Sequence, residues 1–155
     1  MSTTPRPATV RVTRRFDASA ERVYDAWLDA DRARRWLFAT PTGEMVRAEI
    51  DARVGGAFVF VDRRDGVDVA HVGEYLELDR PRRIVFDFAV PQFSAERTRV
   101  TVDIVPLAPG CELTLTHEGV LPDYAARTAE GWAGILARLA ASLGEGALTP
   151  AAPAP

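Results

Sequence analysis

The sequence predicts an α+β fold, in which helices pack across one face of a curved antiparallel sheet of about seven strands. Hydrophobic residues alternate with a period of two over residues 44–120, which is typical of strands that bury one face. From Trp132 to Leu143 the apolar residues recur at steps of three and four, which indicates an amphipathic helix. The length of 155 residues favours one domain. We expect it at 9–145, between a flexible N-terminus at 1–8 and a disordered Ala/Pro tail at 146–155.

The N-terminal part predicts one strand followed by two short helices. Apolar and polar residues alternate over 10–16, which indicates the strand. Ser19 is suited to the N-cap of the first helix, whose apolar residues then recur at helical spacing. Asp29 or Asp31 can cap a second short helix over residues 32–37.

Six further strands are predicted after these helices, separated by turn signals. Gly55-Gly56 suits a bulge or a close turn, and Asp65-Gly66 is a strong hairpin signal. Arg80-Pro81 closes the longest strand, and Pro109-Gly110 turns the chain into the last one. Short strands with turns at this spacing predict an antiparallel meander.

The last predicted element is the long C-terminal helix. Pro122 suits its start and Gly144 suits its C-terminal cap. Gly131 and Gly134 lie within it, and each glycine costs roughly 1 kcal/mol relative to alanine in a helix interior. We expect them where backbone approaches the sheet or where space is left for a ligand. Because a straight helix does not fill the concave side of a curled sheet, we expect a cavity between the two.

Composition narrows the classes of function. The net charge is -3 and the arginines are mixed with acids, so we expect no nucleic-acid partner. The sequence has no lysine, which excludes Schiff-base chemistry. A single cysteine, Cys111, permits no internal disulfide and suits a reducing cytoplasm, where we expect the protein. No signal peptide is visible and no apolar run approaches the roughly 18 residues of a membrane span, so we expect no membrane partner.

Several segments, in their order and spacing, resemble one protein family. Residues 16–23 and Ala26-Trp27 are similar to the family's opening strand and helix, and Trp36 falls where the family often has a tryptophan. Its strand signatures are similar to residues 55–58, 73–78, 81–86 and 113–117. Its closing helix is similar to Gly131-Trp132 with Leu136 and Leu139. The chain resembles the bacterial branch of homologues of the heat-shock-protein-90 ATPase activator, within the START-like (SRPBCC) superfamily. The resemblance extends from about Val10 to Leu143.

The resemblance implies a helix-grip fold, with two short helices after the first strand and one long C-terminal helix packed across the sheet. It implies a cavity between sheet and helix. It does not imply one activity, because the superfamily includes lipid carriers, hormone receptors, polyketide cyclases and co-chaperone domains. It supplies no fixed catalytic set, so the catalytic residues stay unknown, and we expect no cofactor.

The candidate ligand-binding residues are large side chains expected near the cavity. They are Trp36, Phe58, Phe60, His71, Tyr75, Phe86, Phe88, His117, Trp132 and Ile135. For the aromatic residues, packing in the core is the simpler interpretation. For both histidines we favour a buried, neutral, hydrogen-bonded state over an acid–base role. Two histidines without patterned acids or cysteines predict no metal site.

The direction of His71 and Arg14 is left open by the sequence. Arg14 falls on the apolar side of its predicted strand, where it would clamp a ligand carboxylate if it pointed into the cavity. We favour the alternative that it caps an acid on the inner surface or reaches solvent along its stem. Asp87 and Glu118 are weaker candidates, because Asp87 alternates out of phase with the apolar residues beside it.

Three functional interpretations are kept. The first is binding of a small hydrophobic or aromatic molecule in the cavity. The second is a cyclase, isomerase or hydrolase that uses the same cavity, with His71, His117 or Tyr75 at its wall. The third is a protein-interaction module, either co-chaperone-like or a homodimer. An enclosed void lined by carbon would favour a carrier, and an open polar one would favour chemistry.

Overall fold

Within residues 7–40, 42–92 and 96–144, which a computed structural model describes, the chain forms seven strands and three α-helices. The strands are β1 (Ala8–Phe16), β2 (Glu44–Ile50), β3 (Ala57–Arg64), β4 (Val67–Asp79), β5 (Arg83–Phe88), β6 (Thr98–Pro106) and β7 (Cys111–Val120). The helices are α1 (Ala20–Leu28), α2 (Ala30–Ala33) and α3 (Ala125–Ser142), and a 3₁₀ turn at Pro122–Tyr124 precedes α3. The predicted α+β helix-grip architecture is confirmed. The predicted disordered tail lies outside the described residues, as does most of the predicted flexible N-terminus.

The strands form one antiparallel sheet in the order β1-β7-β6-β5-β4-β3-β2. Strands β2 to β7 make the predicted meander, in which each strand pairs with the next along the chain. Strand β1 instead pairs with the last strand, with Val12 opposite Leu115 and Phe16 opposite Cys111. The register shifts in β2–β3, β4–β5 and β1–β7 mark irregularities of the kind that bend a strand.

The two short helices are capped as predicted, but the second has different bounds. The Ser19 hydroxyl accepts a hydrogen bond of 3.2 Å from the Arg22 amide, and the Asp29 carboxylate accepts one of 3.0 Å from the Asp31 amide. Helix α2 spans Ala30–Ala33 rather than 32–37, so the predicted bounds were wrong. The amides of Trp36 and Leu37 both donate to the Ala33 carbonyl in a turn that anchors these two side chains in the core.

Helix α3 covers the sheet with the predicted apolar stripe. Trp132, Ile135, Leu136 and Leu139 are buried on its inner face. Gly144 has φ 87° just after the helix, which is the left-handed conformation that glycine favours at a helix C-terminus. Within the described residues, no helix is both long and apolar enough to cross a membrane.

The centre of the domain is filled by the chain's own side chains. Trp27 of α1 meets Trp36 edge to face, with ring centroids 4.8 Å apart. The void beside Trp27 has a volume of only about 10 Å³, too small for any ligand larger than water. The expected cavity therefore does not occupy the middle of the fold.

Candidate functional site

A groove opens to solvent at one end of the space between the sheet and α3. Its volume is about 280 Å³, just below the range of roughly 300–1,000 Å³ that is usual for small-molecule sites. We call it the aromatic groove, and its lining residues are Phe38, Ala39, Thr40, Arg64, His71, Phe88, Val90, His117, Thr128, Gly131, Trp132, Ile135 and Arg138. An adjoining groove of about 230 Å³ shares Phe88, Val90, His117 and Thr128 with it.

Strand and helix periodicity explain which side chains reach the groove. In β4 the residues Val69, His71, Gly73 and Tyr75 share the inner face, because alternate residues of a strand point to one side. In α3 the lining residues Thr128, Gly131, Trp132, Ile135 and Arg138 recur at helical spacing and lie on one face. The segment after α2 contributes the third wall through Phe38.

Phe38 separates the aromatic groove from the filled centre, since its side chain lines both the groove and the small void. Its ring stacks on His71, Phe88 and Phe58 at centroid distances of 4.6, 5.1 and 6.1 Å. Its backbone has φ 60°, a left-handed conformation that costs a non-glycine residue about 1–2 kcal/mol. This strain is held by the ring contacts and by Arg64, whose Nη2 donates to the Phe38 carbonyl at 3.3 Å.

Two hydrogen bonds fix the protonation state of His117. The Trp132 indole Nε1–H, which can only donate, points at Nδ1 of His117 at 3.0 Å, so Nδ1 carries no proton. The remaining ring proton lies on Nε2, which is 2.7 Å from the Thr98 hydroxyl. Burial lowers the pKa of His117 from 6.5 to about 4, which agrees with a neutral ring.

His71 is also neutral, with the opposite tautomer. Its Nδ1 lies 3.3 Å from the Phe60 carbonyl, which can only accept, so Nδ1 carries the proton. Burial, and secondarily the positive charge of Arg64, lower the pKa of His71 from 6.5 to about 4. Both histidines are therefore buried, hydrogen-bonded groups in the groove wall, as favoured from the sequence, and His71 points inward.

Two arginines and one acid lie at the edge of the groove. Arg64 donates from Nε to the buried Asp62 carboxylate at 2.8 Å, and Thr40 donates to the same oxygen at 2.9 Å. Arg138 of α3 has a buried Nε with no hydrogen-bond partner. Burial lowers the pKa of Arg138, and so does the charge of Arg64, while Asp62 opposes both effects.

The predicted ligand-binding residues divide between the groove and the filled centre. The groove is lined by His71, Phe88, His117, Trp132 and Ile135. The remaining five pack in the core away from the groove: Trp36, Phe58, Phe60, Tyr75 and Phe86. Burial raises the pKa of Tyr75, so it stays un-ionised in that environment. A ligand-binding role for any of the ten stays a prediction.

Other candidates from the sequence lie outside the groove. Arg14 is exposed, with its guanidinium 5.9 Å from the centre of the Phe16 ring, so it does not point into the interior. Asp87 accepts hydrogen bonds from the Glu74 amide at 2.9 Å and from Arg97 at 2.7 Å, both near the surface. Glu118 is exposed.

Sequence reasoning missed Phe38, Arg64 and Arg138. Arg138 follows Gly131 and Ile135 at helical spacing, so the helical pattern contained a signal for it. Phe38 follows a short helix in a left-handed backbone conformation, and no pattern in the sequence marks that.

Gly131 and Gly134 do not lie where the helix backbone approaches the sheet closely, because there is open space around both positions. A Cβ on Gly131 would meet no heavy atom within 4 Å, and a Cβ on Gly134 would meet only Nη1 of Arg138, at 3.7 Å. Close approach of the helix backbone to the sheet is therefore excluded. Gly131 lines the groove, so the absence of its side chain leaves room there.

The groove offers aromatic stacking and hydrogen bonds more readily than proton transfer. Both nitrogens of His117 are already hydrogen-bonded, so using it as a base would break the contact with Trp132 or with Thr98. Among residues 7–40, 42–92 and 96–144, no three side chains of His, Cys, Asp or Glu are placed to hold a metal ion.

A meandering antiparallel sheet gripped by a long C-terminal helix defines a helix-grip protein of the START-like type. Within that class, the chain belongs to the family described as Activator of Hsp90 ATPase homolog 1-like protein, whose family model matches residues 17–144. No curated protein matches the chain significantly.

Solved structures with the same fold come from several bacteria. Protein CV1439 from Chromobacterium violaceum is 31% identical, with a TM-score of 0.78 over 86% of this chain and 94% of that one. The Mll3558 protein from Rhizobium loti is 29% identical, with a TM-score of 0.74 over 88% of this chain and 96% of that one. An AHSA1-like protein from Aeromonas hydrophila is 20% identical, with a TM-score of 0.78 over 92% and 96%, and shows likeness of fold alone.

Proposed function

We propose that this protein binds a small apolar or aromatic molecule in the aromatic groove. The observation that carries the proposal is an open groove with aromatic walls from three separate elements: Phe38 after α2, Phe88 at the end of β5, and Trp132 on α3. Aromatic rings that converge on a solvent-filled space form a typical site for a flat apolar ligand.

The neutral histidines support binding over catalysis. An uncharged imidazole offers a flat face for packing, and both nitrogens of His117 are already hydrogen-bonded to Trp132 and Thr98. His71 already stacks on Phe38, with an interplanar angle of 11°. A base whose pKa is lowered to about 4 is mostly unprotonated at neutral pH but has little driving force to take up a proton.

Screening a library of apolar and aromatic fragments by two-dimensional NMR tests the proposal. We expect shift changes at the amides of Phe38, Phe88, Gly131 and Trp132. If no fragment perturbs the spectrum, or if the shifts cluster elsewhere, the proposal is wrong. Native mass spectrometry of gently purified protein is an independent search for a ligand carried from the cell.

A blocking variant and a matched control sharpen this test. Gly131→Leu places a side chain into the groove from α3, where the Cβ has open space around it. Ala133→Leu adds the same side chain at an exposed position of the same helix outside the groove. We expect the first variant to abolish the fragment shifts and the second to keep them.

We also propose that the protein is located in the cytoplasm. The homodimer considered from the sequence stays a prediction. The only cysteine, Cys111, is buried in the core, which suits a compartment where disulfides are rare. Cell fractionation checks the location. Sedimentation at several concentrations checks the predicted alternative of a homodimer.

A further inference from the structure

The charges around the aromatic groove are unbalanced. Arg64 and Arg138 both line it, and within residues 7–40, 42–92 and 96–144 no carboxylate does so. Asp62, beside the groove, has one oxygen that accepts from both Arg64 and Thr40. Arg64 thus has a counter-ion, while no ion pair within 4 Å joins Arg138 to an acid of the described residues.

Arg138 is also incompletely hydrogen-bonded. Its Nε is buried without an acceptor, although buried polar groups of proteins are nearly always hydrogen-bonded. Asp62 acts on Arg138 only at a distance, and the nearby positive charge of Arg64 partly cancels that attraction. The guanidinium thus stands at the wall of an apolar groove with unused capacity for an anion.

The neighbouring titratable groups form no ion pair with Arg138. His71 and His117 are neutral, and one oxygen of the Asp62 carboxylate accepts from both Arg64 and Thr40. The other oxygen, Oδ1, is buried without a hydrogen-bond partner, and Asp62 attracts Arg138 only at a distance. Glu96 lines the adjoining groove and not the aromatic groove. A cationic ligand would meet two arginines here, whereas an anionic ligand would be attracted to the guanidinium of Arg138.

We propose that the ligand is a small aromatic or aliphatic acid, with its carboxylate paired to Arg138 and its apolar body between Phe38, Phe88 and Trp132. This proposal rests on the proposed function, because it names the chemical class of the molecule bound in the same groove. The planar guanidinium can form two parallel hydrogen bonds to a carboxylate, so it both binds and orients the acid.

Calorimetry with two matched probes tests the proposal. Naphthylacetate and naphthylacetamide have the same ring system and differ in the charge of the head group. We expect naphthylacetate to bind about tenfold more tightly than the amide, as a charge-assisted pair at a partly exposed site allows. We expect this preference to shrink when NaCl rises from about 0.05 M to about 0.5 M, because salt screens exposed charges.

Substitution of Arg138 separates the two proposals. Arg138→Gln should lower the affinity for naphthylacetate about tenfold, to that for the amide, and leave amide binding unchanged. Arg138→Lys keeps the charge and should retain part of the preference. Arg11→Gln removes a charge from an exposed position of β1 and should change neither affinity.

The outcomes are distinguishable. If both probes bind equally and Arg138→Gln alters neither, the acid proposal is overturned while binding of apolar molecules stands. If naphthylacetate is preferred but Arg138→Gln and Arg138→Lys leave the preference intact, the assignment to Arg138 is overturned. If neither probe binds the folded protein, the acid proposal is overturned, and the fragment screen decides whether the groove binds apolar molecules.

Discussion

The indole Nε1–H of Trp132, on the C-terminal helix, donates a hydrogen bond of 3.0 Å to Nδ1 of His117, on the last strand. This polar contact joins the helix to the sheet beside the buried apolar side chains Ile135, Leu136 and Leu139. It requires a neutral imidazole, because a protonated Nδ1 would itself be a donor and would repel the indole N–H. One contact between α3 and the sheet therefore depends on the protonation state of His117.

We predict that the protein loses stability as the pH falls from about 6.5 towards 4. The pKa of His71 and that of His117 are lowered from 6.5 to about 4, so between these values the unfolded chain binds protons that the folded chain does not. The free energy of unfolding is highest above pH 6.5 and falls by up to about 3 kcal/mol for each histidine. Below pH 4 the folded state also takes up these protons, and the histidine contribution levels off.

Urea unfolding at pH 7 and pH 5 measures this loss. His117→Gln, whose side-chain oxygen can still accept from Trp132, should show a smaller loss between the two pH values. NMR titration of the two rings should show no protonation step above pH 5. A ring that titrates near 6.5 in the folded protein would contradict the prediction.

At position 38 the glycine variant should be more stable than the alanine variant, although alanine is usually the more stabilising of the two residues. Phe38→Ala removes the ring and keeps a Cβ at φ 60°, whereas Phe38→Gly removes the ring and the strain together. Both variants should be destabilised by about 3–5 kcal/mol through loss of the ring, with the glycine variant about 1 kcal/mol more stable than the alanine variant. Thermal and urea denaturation check the order, and an alanine variant as stable as the glycine variant would show that φ is relaxed in solution.

Removing the Phe38 ring should also deepen the groove, because that ring separates it from the small void beside Trp27. Longer apolar fragments should then bind Phe38→Gly more tightly than the unaltered protein.

Gly131→Ala and Gly134→Ala should both stabilise the protein. Neither added Cβ would be crowded, and alanine is favoured over glycine in a helix interior by about 0.8–1.0 kcal/mol. Gly73→Ala is the contrasting variant, because its Cβ would collide with the Asp87 carbonyl oxygen and the Phe58 ring. Thermal denaturation should give a higher Tm for the two helix variants and a lower one for Gly73→Ala.

Asp62→Asn should destabilise the protein more than Asp68→Asn does. Asp62 is 1% exposed and pairs with Arg64 at 2.8 Å, so its loss leaves a partly buried guanidinium without a counter-ion. We expect a cost of about 1–3 kcal/mol, reduced from that of a fully buried pair because Arg64 is 35% exposed. Asp68 pairs with Arg63 at the surface, and its replacement should leave the urea midpoint unchanged. Equal effects of the two variants would contradict this ranking.

Local patterns predicted the elements well because alternation and helical spacing record burial directly. The strands and the stripe from Trp132 to Leu143 follow from that. The caps at Ser19 and Asp29 were predicted because these side chains accept hydrogen bonds from the free amides of a first helical turn. The bounds of α2 were wrong because Trp36 and Leu37 are held by a turn onto Ala33 and by burial, not by helix propensity.

The residues of the candidate site were predicted less well than the elements. A pattern that shows a side chain pointing inward does not show whether it lies in the filled core or at the groove. Phe86 and Phe88 lie two residues apart on β5, yet Phe86 packs in the core and Phe88 lines the groove. That difference depends on where Phe38 inserts and where α3 crosses, and both are tertiary relationships. Arg138 became a candidate only when the structure showed its Nε buried without an acceptor.

The pairing of β1 with β7 has a consequence for synthesis on the ribosome. Residues 8–16 are synthesised well before their hydrogen-bonding partners at 111–120. The meander from β2 to β7 can assemble hairpin by hairpin as it appears, while the first strand keeps an unpaired edge throughout. A nascent chain stalled before Cys111 would leave β1 unpaired, together with the edge of β6 that later pairs with β7, and both are open to pairing with other chains.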